Sequence, residues 1–102
     1  MLYLNNNQLT KLPDSIGALT GLTKLDLYTN QLVTLPESLG ALTGLTELRL
    51  HENQLATLPE SLSELTGLTT LWLHENPLVR PQSAAVESWL AALKSGGCNL
   101  RE

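Results

Sequence analysis

Leucine sets the rhythm of this chain. In the stretch Leu45–Leu58, LTELRLHENQLATL, leucines fall at 45, 48, 50, 55 and 58, and the same string returns as LTKLDLYTNQLVTL over Leu22–Leu35. An altered copy, LTTLWLHENPLVRP, starts at Leu68, and a copy lacking its first residues runs from Met1 to Leu12. Asn7, Asn30, Asn53 and Asn76 mark the same place in each copy, 23 residues apart. A fixed period of this length predicts stacked supersecondary units whose core forms between successive coils.

Each unit can be numbered from its first leucine, at 22, 45 and 68. Positions 4 and 6 (Leu25 and Leu27, Leu48 and Leu50) alternate with polar neighbours, the period of a strand with one buried face. Short strands are therefore predicted around 24–28, 47–51 and 70–74, with a partial one around 2–5. Identical units joined in the same sense pair these strands in parallel. Position 9 is always Asn, set where the chain turns inward between buried leucines. An amide both donates and accepts, so these four side chains are expected to satisfy buried turn groups as a structural ladder and not to bind a ligand.

After position 14 come Pro13, Pro36 and Pro59, each followed by an acid (Asp14, Glu37, Glu60) and a serine. Proline bars a strand and suits the first turn of a helix, whose N-terminal end favours the acid. A short helical or 3₁₀ turn is predicted on this return side, with the acids forming a solvated edge instead of a cation site. Thr-Gly at 20–21, 43–44 and 66–67 then turns the chain toward the next strand.

The pattern L-x-x-L-x-L-x-x-N-x-L-x-x-L-P-x-x-L-x-x-L-x-x resembles the 23-residue leucine-rich repeat, most nearly the intracellular kind found in Ras-group and ROCO-type repeat proteins. The resemblance covers about residues 2–79. It implies an α/β fold: a leucine-rich repeat solenoid with a short parallel sheet on its concave side and 3₁₀ or short helical turns on its convex side. It also implies a role in binding proteins.

The pattern breaks after Leu78, dividing the chain into repeats over 1–80 and a closing segment over 81–102. Val86, Trp89, Leu90 and Leu93 are spaced i, i+3, i+4 and i+7 in a stretch free of Gly and Pro, which predicts an amphipathic helix over 83–94, stopped by Gly96-Gly97. The last coil of a solenoid exposes its leucines unless something covers them, so this is a capping helix, with Trp89 as part of the lid and not a partner anchor. Residues 96–102 are expected to be a loose tail. The first coil has no such lid. It is expected either to continue a longer array or to dock through its uncapped edge on a second copy or a partner.

Net charge is −4, with the six Lys and Arg scattered singly, which argues against nucleic acid as a partner. No apolar run approaches the roughly 18 residues that cross a bilayer, and no leader precedes the repeats, so no membrane partner is expected. Cys98 is the only cysteine, which excludes an intrachain disulfide and favours a reducing, cytoplasmic setting. It reads as a bystander thiol. No nucleophile stands with a base, no glycine loop cradles phosphate, and so shallow a sheet implies no deep pocket. No enzymatic activity, cofactor or small-molecule substrate is expected.

Recognition is expected on the outward strand positions, which are the ones that vary between units. Position 3 carries Met1, Lys24, Glu47 and Thr70; position 5 carries Tyr3, Asp26, Arg49 and Trp72. Position 7 carries Asn5, Tyr28, His51 and His74, with Asn6, Thr29, Glu52 and Glu75 at the rim in position 8. Lys24 faces Glu47 and Asp26 faces Arg49 across neighbouring coils, where opposite charges neutralise each other. Three of the four aromatics, Tyr3, Tyr28 and Trp72, sit here although folding needs no large apolar group on this side, and Arg49 can stack on Trp72. The candidate partner-binding set is therefore these residues: Tyr3, Asn5, Lys24, Asp26, Tyr28, Glu47, Arg49, His51, Glu52, Thr70, Trp72, His74 and Glu75. His51 and His74, each followed by Glu, also suggest a zinc site. That reading is set aside, because His-Glu-Asn recurs with the repeat and a flat face supplies no second shell.

Overall fold

The computed structural model describes all 102 residues. Five strands form one parallel sheet in chain order: β1 (Leu2–Tyr3), β2 (Lys24–Asp26), β3 (Glu47–Arg49), β4 (Thr70–Trp72) and β5 (Asn99–Arg101). The register follows the repeat, so Lys24 faces Glu47, Leu25 faces Leu48 and Asp26 faces Arg49, and Arg49 in turn faces Trp72. Each full strand holds three residues where five were expected. The residue at position 8 adopts a left-handed backbone that turns the chain out of the sheet direction, with φ of 58° at Asn6, 56° at Thr29, 58° at Glu52 and 61° at Glu75. Bonds between coils nonetheless continue to that residue, from Thr29 N–H to His51 O at 3.1 Å and from Glu52 N–H to His74 O at 3.0 Å.

On the return side, 3₁₀ turns span Asp14–Ala18, Glu37–Ala41 and Glu60–Glu64, each entered from an extended proline. The proline carbonyl accepts the first turn bond, as from Leu39 N–H to Pro36 O at 3.1 Å. Successive turns stack closely: Ser38 Oγ donates to Asp14 O at 2.7 Å and Ser61 Oγ to Glu37 O at 2.6 Å. Glycine is required at this contact. A Cβ on Gly17 would lie 2.6 Å from Ser38 O, and one on Gly40 would strike Ser61 in the same way. The third turn carries Ser63 at the equivalent place, because the closing helix packs there in place of a fourth turn.

Between sheet and turns lies a continuous core of buried side chains, nearly all leucine, in which Leu25, Leu27, Leu48, Leu50, Leu71 and Leu73 are fully enclosed. The asparagine ladder forms at three of its four expected positions. Asn53 donates to Leu27 O and Leu50 O at 3.0 Å each and accepts from Leu32 N–H at 3.0 Å. Asn30 and Asn76 repeat this pattern, whereas Asn7 bonds only within its own turn, to Leu4 O and Asn5 O.

The helix α1 spans Ala84–Ser95, capped by Ser83, whose side chain accepts from Val86 N–H at 3.3 Å. Val86, Trp89, Leu90 and Leu93 are buried against the last coil, and Trp89 Nε1 donates to Leu65 O at 2.9 Å. Residues 96–102 depart from the expected loose tail. Gly97 turns the chain at φ of 90°, and residues 99–101 add the fifth strand, with Asn99 N–H donating to Thr69 O at 2.8 Å and Leu73 N–H to Arg101 O at 2.6 Å. Leu100 faces Leu71 and packs on the core, so burial of one leucine and satisfaction of the open strand edge order the segment. No helix is long and apolar enough to cross a membrane.

Candidate functional site

Because the strands stand in register, outward side chains at one repeat position line up across the sheet as rows. The position-5 row reads Tyr3, Asp26, Arg49, Trp72 and, from β5, Arg101. Its centre is an ion-paired cluster: Arg49 donates to Asp26 at 2.9 Å and to Glu47 at 2.8 Å, and Lys24 meets the other oxygen of Glu47 at 2.9 Å. The hydrogen bond from Lys24 holds the Glu47 carboxyl below its ordinary range, and Glu47 raises the Lys24 ammonium in return. Asp26 likewise raises the Arg49 guanidinium. Opposite charges across neighbouring strands thus neutralise each other, as their spacing implied.

Trp72 lies between two cations in this row, 5.0 Å from the Arg49 guanidinium and 4.3 Å from that of Arg101. The repeat spacing places Arg49 beside it, whereas Arg101 arrives on β5 from outside the repeats. The available signal was Asn99-Leu100-Arg101, which repeats the form of Glu47-Leu48-Arg49.

The position-7 row is a stack of rings. Tyr28 and His51 lie 4.5 Å apart and 12° from parallel, and His51 and His74 lie 4.6 Å apart at 16°, with Trp72 edge-on to His51 at 5.4 Å. Burial holds His51 below the usual histidine range, and the neighbouring His74 adds to the shift. His51 Nδ1, His74 Nδ1 and Trp72 Nε1 are buried with no hydrogen-bond partner. Rings stacked this nearly parallel aim their in-plane lone pairs side by side and not at one point, so the pair does not converge on a metal. No group of three His, Cys, Asp or Glu is placed to hold one.

Two of the thirteen candidate residues differ from the expectation of an open face. Asp26 and His51 are each only 7% exposed. Adjacent coils stand close enough that a side chain with neighbours in register on both sides, Tyr3 and Arg49 for Asp26 and Tyr28 and His74 for His51, loses its access to water. Lys24, Tyr28, Glu47, Arg49, Thr70, Trp72, His74 and Asn5 are half-buried, while Tyr3, Glu52 and Glu75 are exposed. Tyr3 stands apart from the ring stack, its hydroxyl 3.0 Å from Met1 Sδ. Cys98 is half-buried and its thiol is pushed up by burial, which suits a packing role.

Comparison with known proteins agrees with this geometry. The family model described as "Leucine rich repeat" matches residues 1–55 and again 20–78. No curated protein matches the chain. Among solved structures, a leucine-rich repeat protein of Leptospira interrogans superposes with a TM-score of 0.84 at 33% identity, over 97% of this chain and 24% of that one.

Proposed function

Because the chain belongs to the leucine-rich repeat family, whose domains typically serve as protein-interaction modules and generally as non-enzymatic scaffolds, we propose that its concave face holds a protein partner. One observation carries the reading: large rings line a face that the fold does not need them to fill, while leucine builds the interior. Tyr28 and Trp72 are the anchors, each half-buried against its neighbours and therefore held in place before any partner arrives. Ordering a side chain in advance removes an entropy cost from binding, and Tyr and Trp carry large contact areas on few rotatable bonds. Asp26 and His51 act beneath them, Asp26 by fixing Arg49 and His51 by bracing Tyr28 and His74. Glu52 and Glu75 form the acidic rim.

The test is capture of partners by the immobilised chain compared with a Tyr28→Ala, Trp72→Ala double variant whose fold is checked by circular dichroism. Loss of a captured protein with the fold intact supports the reading, and equal capture by both removes it. The alternative is a structural or regulatory repeat segment of a larger signalling chain, such as a GTPase or kinase with repeats. It draws on the length of the Leptospira protein, of which the match spans 24%. A chain in that role would be indifferent to both substitutions.

A further inference from the structure

The position-5 row contains two arginines on either side of Trp72, half-buried Arg49 and exposed Arg101, and only Arg49 is ion-paired. Arg49 rests against Trp72 and takes two carboxylates, Asp26 at 2.9 Å and Glu47 at 2.8 Å. Arg101 lies against the same indole, closer at 4.3 Å, and makes no ion pair. The difference is in sequence. Where Glu47 stands two residues before Arg49, Asn99 stands two residues before Arg101. Glu102, the next acid along the chain, is drawn away to Arg80 at 2.8 Å.

From this contrast the geometry points to Arg101, backed by Trp72, as the receiving group for an aspartate or glutamate side chain of the bound partner. The inference rests on the concave face being the binding face and specifies the chemistry at one end of it. An arginine held over an aromatic ring has lost part of its side-chain freedom, and its planar fork of donors matches a carboxylate in two parallel bonds. Trp72 Nε1, buried and without an acceptor, belongs to the ring under Arg101, so its resonance reports on a carboxylate settling there. The exposed rim acids Glu52 and Glu75 repel a polyanion, so the surface fits a single carboxylate and not an acidic run.

The chain holds two tryptophans, and their indole N–H resonances give a built-in comparison, since Trp89 is committed to Leu65 O inside the cap. The probe is N-acetyl-glutamate N-methylamide, titrated into the labelled protein, with N-acetyl-glutamine N-methylamide as its uncharged counterpart. The expected result is a saturable shift of the Trp72 indole resonance with the glutamate compound alone and no movement of Trp89. Arg101→Gln is expected to weaken the response about tenfold or more, the size of one charge-assisted pair. Asn99→Glu is expected to abolish it by supplying the missing carboxylate in cis, as Glu47 does for Arg49. Equal response to the two compounds, or an undiminished response in either variant, overturns the assignment. If Arg101→Gln still captures the partner that the Tyr28→Ala, Trp72→Ala variant loses, the concave-face reading stands and this one falls.

Discussion

Asn53, in the middle of the stack, and Gln82, just ahead of the closing helix, carry the same three-way bond on different side chains. Asn53 accepts from Leu32 N–H and donates to the carbonyls 26 and 3 residues before it, Leu27 and Leu50. Gln82 accepts from Leu58 N–H at 2.9 Å and donates to carbonyls at the same two separations, Ala56 and Val79. The same contrast appears twice more. Gly40 in the middle becomes Ser63 at the end, and the leucines that meet the next coil give way to Trp89. A middle coil meets a copy of itself, so one solution recurs at each step. The closing coil meets a helix, and each contact there needed its own residue.

Breaking the closing side should cost most. Trp89→Ala removes the largest buried side chain of the cap along with its bond to Leu65 O, and a loss of about 3–5 kcal/mol is expected in the denaturant midpoint. Next, Gly40→Ala drives a Cβ into the backbone of Ser61, which has no flexible end to give way. About 3 kcal/mol is expected there, against nearly nothing for Ser63→Ala, and equal effects would contradict the account of why serine is allowed at the end.

Asn53→Leu orphans buried groups on two coils at about 1–3 kcal/mol, read as a lowered melting temperature. Gln82→Leu should cost less, since its site is half-buried and water can replace some of its bonds. The smallest effect is in pH. Burial first, and His74 second, keep His51 below the ordinary histidine value, so as pH falls past about 6.5 the unfolded chain takes up the proton before the folded one. Stability therefore declines from about pH 7 toward pH 5, and His51→Phe should flatten part of that slope in melting curves. An unaltered slope would show that His51 titrates alike in both states.

Much of this was legible in the chain because repetition states each rule several times. The leucine positions, the asparagine ladder, the proline-led turns and the capping helix all follow from spacing, and so do the Lys24–Glu47 and Asp26–Arg49 pairs. Single occurrences were harder to read. The strand at Asn99–Arg101 consists of one leucine between two polar residues after a pair of glycines, too short for periodicity to separate from a tail. Gln82 carried no mark of its role, because an amide outside the repeat frame looks like any surface residue.

Leucine spacing is enough to say which side chains face inward and which outward, since a strand of known register leaves only two faces and leucine occupies one. Tertiary structure alone decided how open the outer face is. Coils stacked at strand spacing press neighbouring side chains together, so His51 and Asp26 lost their water to residues 23 positions away on either side. It decided as well that the end of the chain would return to the sheet and set Arg101 on Trp72, a contact that exists only once α1 has closed the last coil.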